Sequence, residues 1–140
     1  MSNEESKKIE QQLDAIDARI EECSRTPASK HQEAVAPSTY KLAIKVISVI
    51  NTRYAIRLKL EDIRVDKAGN ITMSWFDRAN NPNGYISDKC SFIYLRIKKR
   101  KVTCYGSYDH ISYGITEPMR YSKEAASLMH TVFNVFYRKI

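Results

Sequence analysis

Ile9, Leu13, Ile16, Ile20 and Cys23 recur at alternating steps of four and three residues, a heptad spacing, with Glu10, Asp14, Asp17, Glu21 and Glu22 on the remaining faces. This pattern predicts a helix over residues 1–24. Ser2 or Asn3 is placed to cap it, and Glu4 and Glu5 fall in the first turn, where the helix dipole favours anions. A helix this short is marginal alone in water, so its apolar stripe has to lie on something. The candidates are the chain's own domain and a second copy of the chain, joined through Ile9, Leu13, Ile16 and Ile20 as a homo-oligomer; a disordered tail is the third. Residues 25–38 hold two prolines, small residues and no period, and read as a linker.

From Thr39 to about Asn51 apolar residues fall on nearly every side, leaving Lys41, Lys45, Ser48 and Thr52 as one narrow polar stripe. That pattern predicts a central helix capped by Ser38 or Thr39, with a strand as the competitor because so many residues are β-branched. Four strand signals follow. Ile56, Leu58 and Leu60 alternate with Arg57, Lys59 and Glu61, and the alternation resumes at Ile63 and Val65 after a slip of one residue at Asp62. Ile71, Met73 and Trp75 mark a second strand, Ile93, Leu95 and Ile97 a third, and Val102 and Cys104 a fourth. The segments 77–89 and 109–121 read as loops. Ser122 then caps a last helix with Ala125, Leu128, Met129, Val132, Val135 and Phe136 on its core face. The expected class is α+β: a four-stranded antiparallel sheet flanked by helices, in the order α-β-β-β-β-α, forming a domain over 39–140 behind the N-terminal heptad-like helix.

Composition adds limits. The 140 residues are 43% hydrophobic and 28% charged, which excludes collagen-like, low-complexity and wholly disordered chains. No apolar run approaches the roughly 18 residues of a membrane span. The first residues lack the layout of a secretory signal, so a cytoplasmic protein without membrane contact is expected. Charge changes the picture more. Residues 1–38 carry five basic and eight acidic side chains (net −3), and residues 39–140 carry eighteen and eight (net +10). A basic domain of this kind attracts polyanions.

If the apolar strand positions face inward, the opposite face carries Arg57, Lys59, Thr72, Ser74, Phe76, Phe92, Tyr94, Arg96, Thr103 and Tyr105. Rings interleaved with cations suit single-stranded nucleic acid, whose bases stack and whose phosphates need neutralising. A second layer of helices would instead make the same rings core. The run Lys98-Lys99-Arg100-Lys101 predicts a basic hairpin tip without the glycine that tight turns prefer. Tyr108, His110 and Tyr113 lie in a tyrosine-rich loop suited to recognition of a ligand or partner. Catalysis is not expected. Asp109 and His110 are sequence neighbours with no nucleophile motif beside them, which leaves a nuclease or phosphoesterase using Asp109, His110 and Tyr113 as the weaker reading. Neither a metal-ligand cluster nor a glycine-rich phosphate loop is present, so no cofactor is expected, and Cys23, Cys90 and Cys104 read as reduced apolar fillers.

The sequence thus predicts a small non-enzymatic binding protein for a phosphate-bearing ligand, foremost nucleic acid. The competing reading is an accessory or inhibitor protein of the phage or mobile-element type, which binds a host protein or sequesters a nucleotide signal.

Overall fold

The computed structural model describes residues 2–76, 92–108 and 111–138. Helix α1 (Asn3–Ser24) begins where Ser2 Oγ accepts a hydrogen bond from the Glu5 N–H at 3.1 Å. It packs from Leu13 onward. Ile16, Ile20 and Cys23 are buried against the chain's own domain, while Ile9 and Leu13 are only partly covered. The Arg19 guanidinium donates to the Ile63 carbonyl at 3.1 Å, so α1 also covers a backbone acceptor of the first strand. The linker is laid along the surface rather than free: Val35 is buried, and the Glu33 N–H donates to the Lys67 carbonyl at 2.9 Å.

Helix α2 (Pro37–Val49) starts two residues earlier than the capping signal suggests. Proline takes its first position, which needs no N–H donor, and Ala36 supplies no side-chain cap. Leu42, Ala43, Val46 and Ile47 are buried and Lys41 and Lys45 exposed, so the apolar wrap decides for helix despite its β-branched residues. A short helix α3 (Thr52–Ala55) and a 3₁₀ turn (Leu60–Asp62) follow. Here the expected strand over residues 56–62 is not formed; strand β1 is only Ile63–Val65. The Arg57, Leu58 and Asp62 N–H groups are satisfied three residues back, by Tyr54, Ala55 and Lys59. Leu58 alone of the alternating residues is buried, and Leu60 is 44% exposed, so the period of two marked no continuous face.

Strands β2 (Ile71–Phe76), β3 (Phe92–Lys98), β4 (Lys101–Tyr108) and β5 (Ile111–Arg120) complete a five-stranded antiparallel meander in the order β1-β2-β3-β4-β5, one strand more than expected. β5 was hidden by Gly114, Pro118 and a lack of alternation. It is an edge strand, where such residues are tolerated. Opposite it, the single residue Thr103 of β4 faces three residues of β5, 116–118, in a bulge. Gly114 has φ +116°, and a Cβ there would lie 2.5 Å from Val132 Cγ2 and 2.6 Å from the Cys104 carbonyl oxygen. Gly114→Ala is therefore expected to lower unfolding free energy by at least about 2 kcal/mol in urea titrations, through backbone strain and the clash with helix α4 (Lys123–Arg138).

The core lies between one face of the sheet and the helices. α4 crosses β3, β4 and β5, α2 packs on β2 and β3, and α1 lies beside α2 and β1. On β2 and β3 burial alternates strictly, and Ile71, Met73, Trp75, Ile93, Leu95 and Ile97 are essentially inaccessible. On α4 Ser122 caps the Ala125 N–H; Phe133, which the pattern did not single out, is buried, and Leu128, expected on the core face, is 40% exposed.

Cys23 and Cys104 are free and buried, and Cys90 lies outside the described residues. Burial pushes the Cys104 thiol up to about 12, from an ordinary 9.0. The folded state thus holds this proton more tightly than the unfolded chain. Its contribution to stability is complete below about pH 9 and is lost as pH rises toward 12. Burial raises Tyr94, Tyr113 and Tyr121 in the same direction. Denaturant midpoints measured from neutral pH upward are expected to fall through this range, and less steeply in Cys104→Ala.

Candidate nucleic-acid interface

Among the described residues, no helix lies on the second face of the sheet, and the strand register arranges that face in rows. Lys98 stands opposite Lys101 at the turn. In the next row Arg96 is flanked by Thr72 and Thr103, with Arg64 beyond Thr72. Tyr94 comes next, between Ser74 and Tyr105, and then Phe92, between Phe76 and Ser107. Successive residues on one face of a strand are about 6.7 Å apart, so β3 runs from cation to ring within the length of a few nucleotides.

The rings form a connected group. Tyr94 and Tyr105 have centroids 5.6 Å apart, Phe92 and Tyr105 6.4 Å, and Phe76 and Phe92 6.5 Å. Their planes are tilted by 35° to 70° rather than stacked. All four rings are half-buried, whereas Thr103, opposite Arg96 on the same face, is buried. Burial raises the Tyr94 phenol against the pull of Arg96, so it stays a neutral hydrogen-bond donor at physiological pH.

The basic turn is fixed rather than loose. The Lys99 N–H donates to the buried Thr39 Oγ1 at 2.8 Å, and the Tyr121 N–H donates to the Arg100 carbonyl at 3.0 Å. Lys99 has φ 55°, a left-handed conformation that favours glycine. A lysine thus occupies a position where the backbone favours a residue without a side chain. The ion pairs found among the described residues, Arg19–Glu22 within α1 and Arg25–Glu21 at its C-terminal cap, are far in sequence from the turn cations.

Other expected site residues go elsewhere. Arg57 does not lie on the sheet, because no strand forms there; its guanidinium stacks over the Tyr137 ring at 4.7 Å. Lys59 is exposed ahead of the 3₁₀ turn, also off the sheet. The tyrosine-rich loop is mostly the β4–β5 hairpin, which sends Tyr105 and Tyr113 to opposite faces. Tyr113 lies over Gly106, on the helix side. Its hydroxyl is buried without a hydrogen-bond partner among the described residues, and burial, reinforced by Cys104, raises its pKa. Tyr108 ends β4, and Asp109 and His110 lie outside the described residues. Of the proposed self-association seam, Ile16 and Ile20 are taken up by the chain's own core.

Sequence reasoning missed Arg64, although the Ile63-Arg64-Val65 alternation carried the signal. It also passed over Lys41, Lys45 and Arg120, which come from elements distant in sequence. Among the described residues, no group of three or more His, Cys, Asp or Glu is placed to hold a metal ion, and no helix is long and apolar enough to cross a membrane. No family model, curated protein or solved structure matches the chain.

Proposed function

We propose that this protein binds single-stranded nucleic acid on the outer face of its sheet and makes or breaks no covalent bond in doing so. The observation that carries the reading is a sheet face, free of helices among the described residues, on which a row of cations passes into a row of rings. Bases of a strand laid along β3 and β4 stack on Phe92, Tyr94 and Tyr105. Arg96, Lys98 and Lys101 meet its phosphates, with Lys99, Arg100 and Arg64 at the margins. Ring faces are sequence-tolerant, since every base has a π-face, so affinity without strong base preference follows.

In a duplex the base faces are already stacked on one another, and the rings of a sheet have nothing to receive. Anisotropy titrations with a labelled twelve-nucleotide strand and its duplex separate the cases. The single strand is expected to bind at least about tenfold more tightly at equal salt, the value of one stacked base. Equal affinity for both forms, or none for either, contradicts the reading.

A further inference from the structure

Beside the basic turn lies an open cleft of about 580 Å³ between the amino-terminal turns of α2 and the end of β5. Four cations line it: Lys41 and Lys45 one turn apart on α2, Arg100 from the β3–β4 turn, and Arg120 at the end of β5. Among the described residues, no acidic one lines it. Pro37, Ser38, Leu42 and Tyr121 also line it, and the Lys45 ammonium stands 5.6 Å from the centre of the Tyr121 ring. Four uncompensated cations held together repel one another, a cost that an anionic guest would remove.

From this geometry we infer a second binding site, for the polyphosphate of a nucleotide. The cleft is within the range of small-ligand sites, roughly 300–1,000 Å³, and a single inorganic phosphate would leave most of it unfilled. Two arginines suit bidentate contact with phosphate oxygens, and two lysines add point charge. A di- or triphosphate supplies matching charge, and Leu42 and Tyr121 offer apolar contact to the nucleoside. Lys41, Lys45 and Arg120 have no part in the sheet face, and Arg100 alone stands at the margin of both surfaces. Two sources carry this chemistry: a free nucleotide, and the 5′-triphosphate end of a strand.

Calorimetric titration of the full chain with ATP, adenosine and inorganic tripolyphosphate tests the site. ATP is expected to bind saturably and at least about tenfold more tightly than adenosine, with tripolyphosphate between them. The paired variants Lys41→Gln with Lys45→Gln and Arg100→Gln with Arg120→Gln are each expected to weaken ATP at least about tenfold, at an unchanged circular dichroism spectrum. Lys41→Arg with Lys45→Arg keeps the charge and should stay within about threefold of the parent chain. Lys98→Gln with Lys101→Gln removes as much charge from the sheet face and should also cost less than about threefold. Tyr94→Ala with Tyr105→Ala should leave ATP binding intact, which separates this site from strand binding.

Failure of ATP to outbind adenosine overturns the proposal. So does equal weakening by the cleft and sheet-face pairs, which would mean diffuse attraction only. A ten-nucleotide strand with a 5′-triphosphate, compared with its 5′-hydroxyl form, distinguishes the sources. A preference abolished by the cleft variants assigns the strand end; saturable ATP binding without that preference assigns the free nucleotide.

Discussion

Tyr94→Ala combined with Tyr105→Ala is expected to weaken binding of a single-stranded oligonucleotide at least thirtyfold, since each stacking ring contributes roughly 1–3 kcal/mol. The two rings are directly opposed across β3 and β4 and have centroids 5.6 Å apart, so they form the middle of the face. Both are half-buried, which makes truncation affordable to the fold, and the inward residues beneath them are untouched. The pair of phenylalanine variants keeps the rings and removes the hydroxyls; it should bind within a few-fold of the parent chain. If the alanine pair binds as the parent does, the rings serve the sheet and not a ligand.

The largest stability effect is expected at Trp75. It is 1% exposed, its ring meets Phe133 edge-on with centroids 4.9 Å apart, and its Nε1–H donates to the Tyr54 carbonyl at 2.9 Å. Tyr54 is in turn stacked on Phe133, at 5.2 Å, and on Tyr137, at 5.1 Å. Trp75 thus joins β2, α3 and α4. Trp75→Ala leaves a large cavity and removes one of the two hydrogen bonds that the Tyr54 carbonyl accepts, the other coming from the Arg57 N–H, and is expected to cost about 3–5 kcal/mol. Against a total stability of roughly 5–15 kcal/mol, that loss brings the domain close to unfolding near body temperature. Trp75→Phe keeps most of the packing and should lose markedly less in the same urea titration.

The elements that the sequence announced are those whose pattern one physical demand dictates. β2 and β3 alternate because one face is sealed under helices and the other is not, and the alternation placed Tyr94 and Arg96 outward. α2 reads as helix because its two polar lysines fall four residues apart amid apolar neighbours. Where demands compete, the pattern fails. Ile56, Leu58 and Leu60 alternate like a strand, yet Asn51 caps a turn and nearby carbonyls satisfy the N–H groups, so the chain curls instead. β5 lacks alternation because an edge strand with a bulge is not buried along its length. Tyr105 and Tyr113 look like one tyrosine loop until the hairpin register parts them. The cleft was illegible for a different reason. Its cations come from α2, the β3–β4 turn and the end of β5, and only tertiary structure brings them together.

Affinity for a single-stranded oligonucleotide, measured as a function of salt, decides whether a strand lies across this face. The affinity should fall linearly on a double-logarithmic plot, by about 0.7 per phosphate neutralised. Joint replacement of Arg96, Lys98 and Lys101 by glutamine should then flatten the slope by about 2. Binding that ignores salt, or a slope that the triple variant leaves unchanged, contradicts a strand held across this face.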